Sequence, residues 1–326
     1  MSVPLNPDAA TERERRSPIG PLPPFDEECA RGLEAIAAAG LQVPAVADAS
    51  DIAPLRAWLA RQTALAITPE ALRRDGAYEV GERVVPGPAG APALTLLVCR
   101  PAGAAEPVPL IFHIHGGGLV TGDRTVSMPL LLDLAEPLGA AVVSVEYRMP
   151  PEHPHPAPVE DCYAGFLWCI EHADELGVDL DRVVVAGLSA GGGLTAAMTL
   201  LNRDRGGPAI VGQMLMCPML DDRSDRVSVV QTHDRGTWTG QSNVVGWQAL
   251  LGEQQGGADV SPYASASRET DLSQLPPAFV DVGSSETFRD EAVDYASRLW
   301  ASGGVAELHV WPGGYHGYDS FAPQAA

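Results

Sequence analysis

Hydrophobic periodicity divides the chain into a helical N-terminal part and a longer part in which short apolar runs alternate with helix-sized segments. From Phe25 to about Leu72, apolar residues recur at helical spacing, which predicts two or more helices before any strand. Eight later runs have the length and composition of buried strands. The predicted strands are Tyr78–Val85, Leu94–Arg100, Leu110–His115, Ala140–Glu146, Arg182–Ala186, Gly212–Cys217, Ala278–Val282 and Glu307–Trp311.

The order of these elements predicts an α/β fold with one central sheet of eight strands. The first two runs flank a Gly/Pro turn and are expected to pair as a hairpin. The remaining runs alternate with helical segments, which indicates parallel strands covered by helices on both faces. The sheet is therefore predicted to be mostly parallel, with the opening hairpin making it mixed.

The pattern weakens in two regions, which sets the expected domain boundaries. The first 25 or so residues are rich in proline and charge, and we expect a loosely packed arm there. Between Leu220 and about Pro262 the chain is polar, with a single helical piece at Ser242–Leu251, which favours a lid joined by the N-terminal helices. We therefore expect an arm and cap helices at 1–75, core at 76–220, a cap insertion at 221–262 and the rest of the core at 263–326.

Composition limits the classes of partner. The 326 residues carry a net charge of −21, and such an acidic chain repels nucleic acid, so no nucleic-acid partner is expected. No apolar run approaches the length of a membrane span, and the N-terminus has no apolar signal core, so no membrane partner is expected either. The five scattered cysteines are typical of reduced thiols in a cytoplasmic protein.

One apolar run ends in the pattern Gly-x-Ser-x-Gly, at Gly187–Gly191, and continues as a helix-competent segment. Glycines at both ends allow a tight strand-to-helix turn in which Ser189 holds its hydroxyl above the sheet. The run therefore predicts a nucleophile elbow with Ser189 as the nucleophile. The alternative is a glycine-rich turn with an incidental serine, and the rest of the chain has to decide between them.

A serine nucleophile requires a histidine base and a carboxylate that orients it. Three histidines follow Ser189: His233 lies in the polar insertion, His309 inside the last predicted strand, and His316 in a glycine-flanked loop after that strand, where an exposed imidazole is expected. His316 is therefore the predicted base. The candidate acids follow the seventh predicted strand, and we favour Glu286 in the loop, with Asp290 in reserve because Asp290 and Glu291 begin a helix, where acidic residues are common.

Backbone donors for an oxyanion are predicted in His115–Gly118, directly after the third predicted strand. Glycine backbones can turn their N–H groups inward, so Gly117 and Gly118, together with the N–H of Ala190, are expected to form the oxyanion hole. The spacing of His113 and His115, repeated in His153 and His155, could supply two metal ligands, but no third ligand accompanies either pair. We therefore predict no metal and no cofactor.

Taken together, these motifs resemble those of the hormone-sensitive-lipase-like family of α/β-hydrolases, the bacterial family IV esterases. The resemblance covers about residues 95–320, and the cap matches only loosely. It implies the α/β-hydrolase fold with a helical cap, and a cofactor-free serine carboxylesterase that acts on small-molecule esters with short acyl chains through Ser189, His316 and Glu286. The matching segments are His115–Gly118, Thr121–Asp123, Tyr147–Ala157 with Asp161, Gly187–Gly192, Leu275–Pro277, Phe288–Glu291 and His316–Gly317.

Two departures from the family pattern matter. Leu188 stands before the nucleophile where Asp or Thr is common, and Glu286 stands where the family usually has Asp. Three alternatives remain open: an amide or carbamate hydrolase, a deacetylase of a specialised metabolite, and a non-catalytic small-molecule receptor. Members of the family are often dimers, so a homodimer is a candidate assembly by analogy alone.

Overall fold

The computed structural model describes residues 19–325. Eight strands form one sheet in the order β1-β2-β4-β3-β5-β6-β7-β8. Strands β3 to β8 run parallel to one another, whereas β1 pairs antiparallel with β2, and β2 pairs antiparallel with β4. The strands are β1 (Tyr78–Val85), β2 (Leu94–Pro101), β3 (Val108–Ile114), β4 (Ala141–Glu146), β5 (Val178–Leu188), β6 (Gly212–Met216), β7 (Ala278–Gly283) and β8 (Ala306–Trp311).

The predicted α/β fold with its mostly parallel eight-stranded sheet is confirmed. The largest difference lies in β5, which begins at Val178 rather than at the predicted Arg182. The added residues include the exposed Asp181, so they lack the apolar pattern on which the prediction rested. They lengthen the strand at the end that is remote from the elbow.

Eleven helices appear in the described residues. They are α1 (Glu27–Ala38), α2 (Ile52–Ala66), α3 (Pro69–Arg73), α4 (Met128–Ala135), α5 (Ala157–Glu171), α6 (Ala173–Leu176), α7 (Ala190–Asp204), α8 (Val227–Gln231), α9 (Gly240–Leu251), α10 (Arg289–Ala301) and α11 (Tyr318–Phe321). Helices α1 to α3 lie where N-terminal helices were predicted. The short α8 was not predicted, because five residues are too few for a helical period to show.

The two faces of the sheet carry separate hydrophobic clusters, as alternation along a strand requires. In β3, Phe112 belongs to the larger cluster, with apolar residues of α5, α7 and α10. Its neighbour Ile111 points to the other face and belongs to a smaller cluster with Leu131 and Leu132 of α4. Helices thus cover both faces of the sheet, and its strand ends are left for the loops that carry polar side chains.

The N-terminal segment and the segment after β6 meet above the core. The Ser242 hydroxyl donates to the Val46 carbonyl (3.3 Å), and the side-chain amide of Gln231 donates to the carbonyls of Gly20 and Pro21, both at 3.0 Å. Val46 also shares a hydrophobic cluster with Trp247. Of the arm expected at about residues 1–25, the first 18 residues lie outside the described part of the chain. Within residues 19–325 no helix has the length and hydropathy that a bilayer span needs.

A buried ion pair fixes the loop that follows β4. The Asp161 side chain is fully buried in α5 and accepts from Nε and Nη2 of Arg148 at 2.8 and 2.7 Å, and from the Arg148 backbone N–H at 2.9 Å. These three bonds satisfy a carboxylate that burial would otherwise make costly. The pair therefore ties the loop after β4 to helix α5.

We expect Asp161→Asn to lower the free energy of unfolding by about 2 kcal/mol, because it leaves the Arg148 guanidinium without its charged partner. The matched control is Glu160→Gln, since Glu160 pairs with Arg205 at the surface and the change should cost less than about 0.5 kcal/mol. Urea denaturation of both variants measures the difference. Equal losses in the two variants would contradict the role given to the buried pair.

Candidate active site

Ser189 lies at the turn between β5 and α7, where its backbone adopts φ 57° and ψ −121°. A positive φ is unfavourable for a residue with a side chain, so the surrounding structure must hold it. The Ser189 N–H donates to the Met216 carbonyl (2.8 Å), and the Ser189 carbonyl accepts from the N–H groups of Met219 (2.9 Å) and Gly193 (3.1 Å). Bonds to the β6 end and to α7 thus maintain the predicted elbow.

The two glycines of the elbow are required by close backbone approaches. A Cβ on Gly187 would lie 2.2 Å from the Gly191 carbonyl oxygen, and one on Gly191 would lie 2.0 Å from the Ile114 carbonyl oxygen. Any side chain at either position would push the helix away from the strand. Because neither position has a side chain, the first turn of α7 packs directly against the end of β3. This contact brings the glycine-rich loop after β3 beside Ser189.

His316 and Glu286 come from the loops after β8 and β7 and complete a continuous hydrogen-bond chain. Nε2 of His316 lies 2.9 Å from Oγ of Ser189, and Nδ1 lies 3.2 Å from Oε1 of Glu286. Glu286 is 2% exposed, and its Oε2 accepts from the Gly283 N–H at 3.2 Å. Phe288 packs edge-on against the imidazole with ring centroids 5.0 Å apart. The carboxylate and the ring are therefore both held in place.

The structure separates the other sequence candidates from Ser189. His309 lies on β8 and pairs at the surface with Glu307 (2.7 Å), and His233 is exposed. Asp290, kept in reserve as the acid, accepts instead from the Ser228 N–H (2.8 Å). Glu291 accepts from the Leu220 N–H (2.6 Å) and is fully buried. Of the candidate bases and acids, only His316 and Glu286 are brought into line with Ser189.

The loop after β3 turns at the two glycines that were predicted as oxyanion donors. Gly117 has φ 122° and Gly118 has φ 60°, which turn the chain in a way that favours glycine. A Cβ on Gly116 would lie 2.8 Å from the Leu188 carbonyl oxygen, so this loop contacts the elbow. Ala190 is the first residue of α7, and its N–H has no acceptor within the helix. The three predicted donors therefore lie on adjoining segments.

Two aromatic side chains support the same loop. The Tyr147 hydroxyl donates to the His115 carbonyl (3.0 Å), and the two rings stack with centroids 4.2 Å apart. On the other side, the Trp238 ring packs so closely on Gly118 that a Cβ there would lie 1.9 Å from it. Trp238, from the segment after β6, thus borders the oxyanion loop directly.

Arg56 of α2 is a contact that the sequence reasoning missed. Its Nε donates to the Val120 carbonyl and its Nη2 to the Pro150 carbonyl, both at 2.6 Å, and the guanidinium also forms a bidentate pair with Glu152 (2.7 and 2.9 Å). One N-terminal side chain therefore ties the oxyanion loop to the loop after β4. No local motif signals it, because its partners lie far along the chain.

His113 and His115, one of the two histidine pairs considered as metal ligands, each form a hydrogen bond through Nδ1. His113 is fully buried, with Nδ1 2.9 Å from Oγ of Ser144, and His115 has Nδ1 2.9 Å from the Gly116 carbonyl oxygen. Burial lowers the pKa of both, that of His113 to about 3, so both imidazoles stay neutral. Their contacts give them a structural role beside the oxyanion loop.

A second group of acidic side chains lies behind Glu286 and was not anticipated. Asp281 and Asp319, together with Cys217 and Glu286, line a cavity of about 30 Å³. Burial raises the pKa of Asp281 to about 6, opposed by the hydrogen bond from Nε1 of Trp311 (3.1 Å). Burial likewise raises the pKa of Asp319. The candidate triad therefore has an acidic environment beside Glu286.

Comparison with known proteins agrees with this fold and identifies the family of the chain. The chain belongs to the α/β-hydrolase family, as one of its hormone-sensitive-lipase-like esterases, since a family model described as alpha/beta hydrolase fold matches residues 111–320. It is 36% identical over 248 residues to carboxylesterase NlhH of Mycobacterium tuberculosis, covering 74% of this chain and 76% of the relative. Esterase LipI of the same organism is 35% identical over 245 residues, with the same shares.

Among solved structures, a bacterial heroin esterase is similar with a TM-score of 0.85 and 36% identity, covering 93% of this chain and 92% of the other. The fold is therefore shared over nearly the whole length of both chains. With relatives named as carboxylesterases and a structural neighbour that is an esterase, the protein is a carboxylic-ester hydrolase.

We expect Asp281→Asn to stabilise the protein at about pH 8 and to have little effect below about pH 4. The pKa of Asp281 is about 6 in the folded protein against an ordinary 3.8, so the folded state binds this proton more tightly and stability falls as the pH rises between these values. Asparagine cannot ionise and avoids that loss. Melting temperatures measured against pH test this expectation.

The matched control is Asp259→Asn, which removes the same charge at an exposed position. It should shift the melting temperature much less at about pH 8, because an exposed carboxylate keeps its hydration. A gain of similar size in both variants would attribute the effect to net charge, and the assignment to the buried carboxyl would then be wrong.

Proposed function

We propose that the protein hydrolyses carboxylic esters through a Ser189–His316–Glu286 triad and an acyl-enzyme intermediate. The observation that carries this proposal is the hydrogen-bond chain from Oγ of Ser189 through the imidazole to Glu286, at a strained elbow beside a glycine-rich loop. Such a chain is what activates a serine hydroxyl, which is otherwise a weak nucleophile. Comparison with esterases supports the reaction class, and this geometry supports the residue roles.

In the first half-reaction His316 accepts the hydroxyl proton through Nε2 as Ser189 attacks the ester carbonyl. The resulting oxyanion is stabilised by the N–H groups of Gly117, Gly118 and Ala190. The imidazolium, paired with Glu286 through Nδ1, then protonates the leaving alcohol. Water repeats the sequence in the second half-reaction, with His316 again as base, and releases the acid.

Short acyl chains are the proposed substrates, supported by the position of Trp238. Its ring is 7% exposed and lies against Gly118, and a Cβ on Gly246 of α9 would lie 2.6 Å from the Gly118 carbonyl oxygen. These contacts fill the space on one side of the oxyanion loop. An acyl group that occupies this side has little room to extend.

The helices between residues 19 and 75, which follow the predicted arm, and the segment 221–262 are proposed to form a cap over a core at 76–220 and 263–326. The contacts from Ser242 to Val46 and from Gln231 to Gly20 support this division, because they join the two segments to each other. The Thr237 hydroxyl also donates to the His316 carbonyl, so the second segment contacts the loop of the candidate base. The cap would then shape the pocket and restrain that loop.

Two further proposals concern the setting in which the enzyme works. A homodimer is supported by the edge strand β8, where Val310 and Trp311 are both 38% exposed next to Val305 at 66%. A cytoplasmic location is supported by five free cysteines, all buried as thiols. Both remain predictions.

We expect hydrolysis of p-nitrophenyl esters to be fastest for short acyl chains when acetyl to dodecanoyl esters are compared. Ser189→Ala should reduce kcat by roughly five orders of magnitude, and Glu286→Gln by about 10⁴-fold, because the imidazole loses its nucleophile or its orienting charge. Steady-state rates for the purified proteins provide the measurement.

The control is Asp290→Asn, which changes the reserve acid and should leave the rate close to that of the wild type, because Asp290 binds the Ser228 N–H instead. A large loss in Asp290→Asn with little loss in Glu286→Gln would reverse the assignment of the acid. A folded wild type that cleaves no ester but cleaves acetylated amides or carbamates would favour the amidase alternative. Binding without turnover would favour a receptor.

We expect Trp238→Leu to shift the preferred acyl length towards longer chains, because the smaller side chain opens space beside Gly118. The ratio of kcat/KM for octanoyl and acetyl esters should rise by about tenfold, the effect of one or two additional buried methylene groups. Trp247→Leu is the control, since Trp247 is also buried in the same cluster. If that variant shifts the ratio equally, general loosening of the cap would account for the change.

A further inference from the structure

Cys217 is a buried side chain beside the candidate triad that the mechanism does not use. It directly follows β6, has φ 36°, and its N–H donates to the Asp281 carbonyl at 2.8 Å. Its Sγ, one carboxylate oxygen of Glu286 and one ring nitrogen of His316 all lie within 4.8 Å of one another. Three different metal-binding atoms therefore converge on one point behind the nucleophile.

We propose that Cys217, Glu286 and His316 form a binding site for a thiophilic divalent cation such as Zn²⁺ or Cd²⁺, and that a bound cation inhibits the enzyme. The binding part of the proposal stands on the geometry of the three side chains. The inhibitory part rests on the proposed function, because it requires His316 to act as the base.

The donor set suits such a cation. Sulfur, imidazole nitrogen and carboxylate oxygen are the protein ligands of Zn²⁺, at about 2.0–2.3 Å from the metal. Tetrahedral coordination at these lengths places ligand atoms roughly 3.5 Å apart, so the side chains have to approach one another by about an ångström. A cation with three protein ligands keeps an open fourth position, which water or the nearby Ser189 hydroxyl can occupy. Magnesium, which prefers six oxygen ligands, does not fit this set.

The charges also balance. The Cys217 thiol is buried, and it coordinates a cation in its thiolate form. On binding, the S–H bond breaks, a sulfur–metal bond forms and the proton leaves to solvent. The thiolate and the Glu286 carboxylate then neutralise the two charges of the cation. Asp281 and Asp319, which line the same cavity, add to the negative potential that attracts it.

Binding stops the reaction whichever ring nitrogen coordinates the metal. A neutral imidazole has one nitrogen with a free lone pair and one that carries hydrogen. If the metal takes the lone pair of Nε2, that atom no longer accepts the proton of Ser189. If it binds Nδ1, the hydrogen moves to Nε2, which then has no lone pair to offer. Both cases also disturb the Glu286–His316 hydrogen bond, which joins the two atoms 3.2 Å apart.

The test uses Cd²⁺ and Zn²⁺ with the wild type, Cys217→Ser, Cys217→Ala and His309→Asn. His309 is the matched control because it pairs with Glu307 at the surface (2.7 Å) and offers an adventitious metal site away from the triad. Titration with Cd²⁺ is followed by the ultraviolet sulfur-to-metal charge-transfer band, which does not depend on turnover. Zn²⁺ inhibition of p-nitrophenyl acetate hydrolysis is measured separately, each protein being compared with its own metal-free rate.

We expect one equivalent of Cd²⁺ to produce the band in the wild type and in His309→Asn, and the band to be lost in both Cys217 variants. The Zn²⁺ concentration for half inhibition should rise at least about tenfold in the Cys217 variants, as expected for the loss of a ligand, and chelation by EDTA should restore activity. Mg²⁺ should not inhibit.

A band that persists without Cys217 would place the cation on another thiol and overturn the site. Equal Zn²⁺ inhibition in the wild type and both Cys217 variants would overturn the inhibitory role. If the proposed triad were wrong, Ser189→Ala would retain turnover, whereas the Cd²⁺ band would still report on binding. The two failures are therefore distinguishable.

Discussion

The close packing of the end of β3 against the first turn of α7 is the constraint on which the site depends. A Cβ on Gly187 would lie 2.2 Å from the Gly191 carbonyl oxygen, and a Cβ on Gly191 would lie 2.0 Å from the Ile114 carbonyl oxygen, so only glycine allows this approach. This contact places the strained Ser189 beside the loop that contains Gly117 and Gly118. The candidate nucleophile and the proposed oxyanion donors are thus positioned by one backbone arrangement, which does not rely on flexible side chains.

The positions of His316 and Glu286 beside Ser189 depend on the parallel sheet. Carboxyl ends of parallel strands meet at one edge, so the loops after β5, β7 and β8 can bring together side chains that are distant in sequence. Ser189 and His316 are 127 residues apart along the chain but 2.9 Å apart in space. The Gly283 N–H holds Glu286 with its carboxylate towards the ring. The extra methylene of glutamate relative to aspartate is accommodated because Glu286 folds back on its own strand end.

Much of this could be predicted from the sequence, because it leaves local or periodic signals. Eight apolar runs indicated the eight strands, and glycine-rich motifs singled out Ser189 and the loop after β3. Signals were weaker where no periodicity exists, as in the polar start of β5 and the short α8. The contacts of Arg56 left no signal, since its acceptors Val120 and Pro150 are backbone carbonyls more than 60 residues away. Asp290 shows that position in a motif does not identify the acid. It lies close to Glu286 in the sequence, but its carboxylate accepts a hydrogen bond from the Ser228 N–H of α8.

The acidic cavity behind Glu286 joins the chemistry of the triad to the metal proposal. In the proposed mechanism His316 carries a positive charge after it takes the serine proton, and the carboxylate of Glu286, 3.2 Å from Nδ1, supplies negative potential at that point. The same negative potential attracts any cation small enough to enter, and Cys217 adds a ligand that hard cations do not need. Stabilising a transient positive charge on His316 and binding a permanent one are therefore two proposed uses of one cavity, and its small volume of about 30 Å³ requires an entering cation to lose its hydration shell and bind the side chains directly.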